Sequence, residues 1–194
     1  LTPAEIAQEL EELDTDDAAD IIAELDDDIQ QKVIDKIKDE EHAADIVELL
    51  NYDEDTAGAL MAKELVQVKE TWTVAGCVRE MRRQAENVTR VHSIYVTDKE
   101  GKLTGRLSLK DLLTAGEKTK ISEVFIPKVD YVTVHTDNDE VARIMQKYDL
   151  DAIPVVNESG VLVGRITIDD VVDYIKEEAE KDYQLAAGIS QDVD

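Results

Sequence analysis

Residues 94–113 read IYVTDKEGKLTGRLSLKDLL, and residues 153–172 read IPVVNESGVLVGRITIDDVV. The two align without a gap at an offset of 59, and Ile, Val, Gly, Leu, Gly, Arg and Asp recur at seven of the twenty positions. Self-similarity at a fixed spacing marks an internal repeat. Each copy reads as a strand, a Gly-containing turn, a second strand and a helix. Each is preceded by a further strand and helix, ELVQV then TVAGCVREMRRQAE in the first and DYVTVH then DNDEVARIMQKYD in the second. The unit is therefore β-α-β-β-α. A short sheet of this kind leaves one face uncovered, so the two copies are expected to pack into one unit.

Beyond the second copy the last helix runs on as DYIKEEAEKDYQLAAGI, longer than the repeat needs. An overhanging terminal helix suggests a connection to something further along. Upstream of the repeats, residues 1–52 read as short amphipathic helices. Thr2-Pro3-Ala4-Glu5 has capping-box spacing with Pro at the first helical position. The next helix is expected to bury Ala18, Ile21, Ile22 and Leu25 and to point its acids away from them. A third carries Ile29, Val33, Ile34 and Ile37, and a fourth Ala43, Ile46, Val47 and Leu50. This helical domain is expected to end at NYDEDTAG.

Charge is sorted by segment. Residues 1–60 carry 21 acids and 3 bases, residues 61–120 carry 8 and 12, and residues 121–194 carry 17 and 6. A net charge of −25 makes nucleic acid an unfavourable partner, because phosphates would be repelled. At 43% hydrophobic residues the chain can still build cores. The single cysteine, Cys77, lies mid-helix beside Val74 and Val78 and reads as a small core residue, which fits a reducing, intracellular setting. No apolar run is long enough for a membrane helix, so the chain as given is expected to be soluble. It begins with Leu rather than Met, which reads as a fragment or a processed chain.

Catalysis finds little support. His42, His92 and His135 sit in separate segments without ligand spacing, and there is no P-loop, GxGxxG or Ser/His/Asp arrangement. No enzyme is expected. Two features carry binding chemistry. Ser108-x-x-Asp111 and Thr167-x-x-Asp170 each stand at a strand-to-helix junction after Gly-Arg. A hydroxyl beside helix N-terminal amides suits a phosphate, and a carboxylate three residues on suits a ribose; a plain N-cap accounts for the same residues equally well. The second feature is acid without base: Asp16, Asp17 and Asp20; Asp53, Glu54 and Asp55; Asp137, Asp139, Asp149 and Asp151; Asp169, Asp170 and Asp173; then Glu177, Glu178, Glu180 and Asp182. Any single run reads as a solvated surface. If the faces after Thr15 and Thr167 meet, their repulsion must be neutralised, and oxygen-only ligands without EF-hand spacing favour Mg²⁺.

The order of parts resembles a known family. GRLSLKD and GRITIDD resemble a CBS-domain pair. An acidic helical domain, then YDEDTAGALM, then a CBS pair containing KYDLDAIPVV, then IDDVVDYIKEEAEKD resembles the cytosolic region of MgtE-type magnesium transporters. The fold class expected is a mix of α and β: a small all-α, superhelix-like N-terminal domain over residues 1–59, a first CBS repeat over 60–120, a second over 121–178, and a connecting helix over 179–194 toward a membrane domain absent here. The resemblance implies a homodimer joined through its CBS pairs, on the cytoplasmic face of the cell membrane. Its function there is to sense Mg²⁺, which bridges the acidic faces and closes the pore. The metal ligands it implies are Asp16, Asp20, the Ala59 carbonyl, Asp139, Asp149, Asp170, Asp173, Glu178 and Asp182. It implies ATP, bound in some members, at Ser108, Lys110 and Asp111 with Leu150 and Ile153 near the base. This sequence departs from the family in a shorter N-terminal start and in Lys181, which stands where an acid is expected. The competing readings are a soluble CBS-pair sensor of adenine nucleotide with an acidic partner-docking domain, and a scaffold whose acidic face docks on the basic first repeat without metal.

Overall fold

The computed structural model describes residues 1–86, 91 and 93–191; residues 87–90, His92 and residues 192–194 lie outside it. The chain opens with four helices, α1 (Pro3–Leu10), α2 (Thr15–Ala23), α3 (Asp27–Ile34) and α4 (Glu40–Leu50), and a one-turn helix α5 (Ala57–Leu60). The capping box at Thr2 and Glu5 forms as its spacing requires. In this domain α2 packs on α4 and α1 on α3, around Leu10, Ala18, Ala19, Ile22, Val33, Ile46 and Leu49.

Two expected stripes are corrected. On α2, Ile21 is exposed, whereas Ala19, Thr15 and Asp16 are buried. The helix packs on α4 and its start is covered by Lys63 and Glu64 of the segment entering the first repeat, so its buried face is wider than one stripe and takes in an acid. On α4, Val47 is exposed and Leu49 is buried in its place. Positions i+3 and i+4 flank the same face, and periodicity alone does not say which side the core takes.

The repeats form two sheets. The first has the order β1 (Val66–Lys69), β2 (Ile94–Thr97), β3 (Leu103–Leu107), β4 (Ile126–Pro127); the second has β5 (Val132–Thr133), β6 (Ala152–Val156), β7 (Leu162–Thr167). In both, the first pair is parallel and the second antiparallel. Helices α6 (Val74–Ala85) and α7 (Leu109–Thr114) belong to the first unit, and α8 (Asn138–Lys147) and the long α9 (Ile168–Gln191) to the second. The short β4, which the repeat pattern did not announce, pairs with β3.

The two units exchange their leading segments. The chain before the first repeat docks on the second: Ala57 N donates to Thr136 O, Gly58 N to Val134 O, and Ala62 and Arg165 exchange backbone hydrogen bonds of 2.9 Å. The chain before the second repeat docks on the first in the same manner, with Ile121 N donating to Trp72 O and Ser122 N to Glu70 O. The two hairpin turns also meet, Leu103 N donating to Gly160 O and Leu162 N to Gly101 O. Gly101 and Gly160, the repeated turn glycines, both have φ of +82°, a conformation other residues rarely adopt.

One consequence positions the site. The buried core of the N-terminal helices is continuous with that of the second repeat, running from Leu10, Ile22 and Leu49 through Ala57 and Met61 to Val155 and Ile166. The first repeat keeps its own core around Val66, Val96 and Ile121. The acidic domain is thus seated on the second, acidic repeat.

Candidate functional site

The site is built where α2 meets the junction of β7 and α9. A helix start leaves backbone N–H groups without partners. At α2 the N-cap Asp14 supplies no side-chain bond. Glu64, in the segment entering the first repeat, does so instead: Thr15 N donates to Glu64 Oε1 at 2.9 Å and Thr15 Oγ1 to Glu64 Oε2 at 2.8 Å. Lys63 N donates back to Thr15 Oγ1 at 2.9 Å. This ring fixes the start of the helix that carries Asp16, Asp17 and Asp20.

Opposite stands the end of β7. Thr167 caps α9, its Oγ1 accepting from Asp170 N while the Asp170 carboxylate accepts from Thr167 N at 2.9 Å. Being one unbroken helix, α9 carries Asp170, Asp173 and Glu177 on a common side. Arg165, on β7, is buried and lies 3.8 Å from Asp14 and 3.9 Å from Asp170.

Here carboxylates face carboxylates with little to compensate them. Asp16 is only 8% exposed, and its Oδ1 has no hydrogen-bond partner. Burial, then Asp170 and Asp17, push its carboxyl up to about 8, against the pull of a hydrogen bond from the Asp17 backbone and of Arg165. Burial, then Asp170, Asp14 and Asp173, raise Asp17. Burial, then Glu177, Asp17, Asp170 and Glu24, push Asp20 up to about 6. A carboxylate removed from water and set beside others favours whatever brings positive charge to it.

The predicted ligands divide into three sets. Across α2 and α9, Asp16 and Asp20 feel Asp170, and Asp17 feels Asp170 and Asp173. Asp139 and Glu178 converge elsewhere, on Tyr174, whose phenol burial and then Asp139, Glu178, Asp55 and Asp137 push up to about 12. There Asp55, in a left-handed conformation at φ 65°, accepts from Asn138 N through its carbonyl, and the buried Asn138 Oδ1 has no partner. Lys181 pairs with Glu178 at 3.4 Å. Ala59 is half-buried in α5, which packs on α4, α8, β5 and β7. Asp149 and Asp182 are exposed. Among the described residues, no three Asp, Glu, His or Cys stand close enough to hold a metal ion as they are.

At the first junction Ser108 Oγ accepts from Asp111 N, the N-cap role; the Asp111 carboxylate makes no return bond like that of Asp170. Lys110 is exposed, Leu150 half-buried and Ile153 fully buried in β6. Sequence reading passed over three residues. Tyr95 is 2% exposed, its hydroxyl buried without a well-formed hydrogen bond and with Ser93 alongside. Glu64 gave no signal. Arg165 gave one: it is the sole base between Lys147 and Lys176.

The sequence matches the MgtE intracellular N domain over residues 1–55 and the CBS domain over residues 57–118 and 121–177. The magnesium transporter MgtE of Thermus thermophilus is 46% identical over 139 residues, 72% of this chain and 31% of that protein. The crystal structure of the cytosolic domain of the Mg²⁺ channel MgtE in complex with ATP superposes with a TM-score of 0.82 at 42% identity, covering 90% of this chain and 71% of that one. The soluble part of a magnesium transporter gives a TM-score of 0.84 at 34% identity, covering 92% and 70%. The fold is that of a CBS pair carrying a helical N-terminal domain. The chain belongs to the MgtE family, in which it corresponds to the cytosolic N domain and CBS pair. It spans about a third of the length of the curated MgtE relatives it matches. Among its described residues no helix is long and apolar enough to cross a membrane.

Proposed function

We propose that this chain is the Mg²⁺-sensing regulatory region of a magnesium transporter, lying on the cytoplasmic face of the membrane and docking its acidic helical domain on its second CBS repeat to close the pore. The observation that carries the reading is the buried Asp16 carboxylate, whose Oδ1 has no hydrogen-bond partner, set in the field of Asp170. That environment fits a hard cation. Asp16 and Asp20 with Asp170 and Asp173 would hold it at one place, and Asp139 and Glu178 at another; Ala59, Asp149 and Asp182 rest on the family resemblance alone. A bound Mg²⁺ supplies divalent charge that oxygen ligands accept readily.

The chain's own residues do the rest. Glu64 fixes where α2 begins, so the spacing of Asp16 and Asp20 along that helix sets which α9 acids they face. The capping box at Thr167 does the same for Asp170. Two states of similar energy follow, one with the faces apart and solvated, one with them together, and the ligand selects the second. Small-angle scattering and thermal melts in chelator and in millimolar Mg²⁺, at matched ionic strength, test this. A smaller radius of gyration and a higher melting temperature with Mg²⁺ are expected; unchanged values of both overturn it.

ATP is proposed at the first-repeat junction, with Ser108 and the α7 N-terminus toward phosphate, Lys110 adding charge and Asp111 toward ribose. The second junction has Asp169 where the first has Lys110 and repels phosphate. Calorimetry should show ATP binding lost in Asp111→Ala and kept in Asp170→Ala; the reverse pattern would mean the other copy binds. Self-association through the CBS pairs is proposed on the family resemblance, and sedimentation equilibrium tests it.

A further inference from the structure

Residues 51–55 join α4 to the part of the chain that is bound to the second repeat. Among the described residues, none of residues 1–54 makes a backbone–backbone hydrogen bond to the repeats. From Asp55 on such bonds are close-set. Asn138 N donates to Asp55 O at 2.8 Å, Ala57 N to Thr136 O at 2.8 Å and Gly58 N to Val134 O at 3.0 Å. Helix α5 is thus fastened to the second repeat by its backbone, whereas the helical domain reaches the segment entering the first repeat through side chains, at Thr15–Glu64 and at Glu48–Lys63. Side-chain ties can be made and broken without unfolding either partner. Turning of the helical domain against the repeats is therefore taken up between Asn51 and Asp55. Asp55 already stands in the left-handed region at φ 65°, which Asp tolerates better than most residues.

One contact spans that stretch. Tyr52 closes the helical domain, its N–H donating to Leu49 O and its hydroxyl to Glu48 at 3.1 Å. Its ring lies on Gly58. A methyl group there would stand 2.5 Å from the ring Cγ and 2.7 and 2.9 Å from the two Cδ atoms, and these three are the nearest atoms it would meet. Gly58 has no left-handed φ to call for glycine; the ring calls for it. A side chain at this position would interlock with the ring and fix one angle, as interdigitated core packing does. A bare α-carbon lets the ring approach the backbone closely and leaves it a smooth seat on which to turn while staying packed.

We infer that the seat of Tyr52 on Gly58 is the pivot about which the helical domain leaves and rejoins the second repeat, a role that rests on the two states proposed above. The seat and the α5 bonds persist in both states, and the Thr15–Glu64 and Glu48–Lys63 ties exist in the docked state alone. Tyr52 is thereby a positioning residue. It touches none of the carboxylates that face α9, but the height of its ring above Gly58 sets the angle at which α2 meets α9.

The test is amide hydrogen exchange on the 194-residue chain in chelator and in millimolar Mg²⁺, joined to a Mg²⁺ titration of compaction by small-angle scattering. Two amides report the parting of the faces: Thr15 N, which donates to Glu64, and Lys63 N, which donates to Thr15 Oγ1. Two report the fastened side, Ala57 N and Gly58 N. In wild type the first pair should lose protection in chelator and the second pair should keep it. Gly58→Ala should raise the Mg²⁺ midpoint severalfold, because the methyl lifts the ring from its seat. Adding Tyr52→Ala should bring the midpoint back toward that of wild type, because the methyl then has room. Ile121 N and Ser122 N, bonded to Trp72 O and Glu70 O, should stay protected in every variant as the check on folding; if Gly58→Ala fails that check, the wild-type exchange decides. The pivot lies elsewhere if Ala57 and Gly58 lose protection together with Lys63, if Gly58→Ala titrates as wild type does, or if the double variant is no better than Gly58→Ala. Should Mg²⁺ leave wild type unchanged, the sensor reading fails, and Glu64→Ala in chelator decides the pivot separately. Protection lost at Lys63 but kept at Ala57 and Gly58 then supports it; protection kept at all three, or lost at all three, overturns it.

Discussion

Thr15 and Glu64, 49 residues apart in sequence, are tied by two hydrogen bonds, from the Thr15 amide and from its hydroxyl, to the two oxygens of one carboxylate. The pair joins the helical domain to the strand-leading segment of the first repeat, and Thr15 is 1% exposed. Nothing else caps α2 by a side chain.

Breaking that tie should loosen the domain without touching any acid that faces α9. Losing a buried hydrogen-bond partner costs about 1–3 kcal/mol. Thr15→Val removes the hydroxyl and keeps the shape, whereas Glu64→Ala removes both acceptors and should cost more. Hydrogen exchange at α2 reads this directly: faster exchange is expected in both variants, largest in Glu64→Ala. Unchanged protection would show that packing on α4 alone positions the helix.

The raised carboxyls predict a pH dependence in metal-free solution. In the unfolded or undocked chain Asp16 and Asp20 titrate near the usual ~4. In the docked state they titrate near 8 and near 6. A group whose folded pKa is raised contributes stability that is full below its unfolded pKa and lost as pH rises through the folded one. Asp17 and Asp170 face Asp16, with Arg165 opposing them, and Glu177, Asp17, Asp170 and Glu24 face Asp20. Stability in chelator should therefore fall as pH rises from about 4 to about 8. Asp16→Asn should flatten the upper part of that fall. Thermal melts across pH check it, and a wild-type stability that instead rises over this interval would count against the raised Asp16 and Asp20 carboxyls.

Gly105 and Gly164 carry a prediction about the exchanged segments. A methyl group on Gly164 would stand 2.6 Å from Met61 Sδ and 2.7 Å from the Ala62 carbonyl. On Gly105 it would meet the Ile126 carbonyl and the Phe125 ring. Backbone cannot yield as a side-chain end does, so each Gly→Ala variant should lose about 1–3 kcal/mol or more in chemical denaturation. Gly164→Ala should also loosen the helical domain, since Met61 lies in the core it shares with the second repeat. A variant as stable as wild type would mean that the exchanged segment shifts freely.

These same glycines show how far the sequence could be read. The recurrence of Gly-Arg at one spacing revealed the repeat, and with it both sheets and the helix after each. It did not reveal why the glycine recurs, because the atoms that crowd it come from Met61 and Ala62, about 100 residues before Gly164, and from Phe125 and Ile126, about 20 residues after Gly105. The acids Asp16, Asp20, Asp170 and Asp173 could be picked out by helix phase and family likeness. That Asp16 is buried could not, since the surface that covers it arrives from a separate domain. Arg165 looked like half of a repeated motif. Its distinct surroundings depend on which repeat the helical domain covers, and the linear pattern is silent on that.

Asp20 and Asp173 offer the sharpest test of the contact between the faces. Both are exposed at its rim, so substitution should leave the fold intact, and their removal from a merely solvated surface would change stability by less than about 0.5 kcal/mol. On the proposed reading the effect changes sign with Mg²⁺. In chelator each carboxylate repels its neighbours; at Asp20, burial and then Glu177, Asp17 and Asp170 raise the carboxyl. Asp20→Asn and Asp173→Asn should then make the metal-free chain slightly more compact. With Mg²⁺ present the same substitutions remove ligand charge, so the midpoint of Mg²⁺-induced compaction should move to higher concentration. Asp17 feels Asp173 as well as Asp170, so the two substitutions act on one coupled set of charges, and the double variant should depart from the sum of the singles. A Mg²⁺ titration of the radius of gyration for wild type, both single variants and the double variant measures all three effects. Four superimposable curves would return Asp20 and Asp173 to ordinary solvated surface.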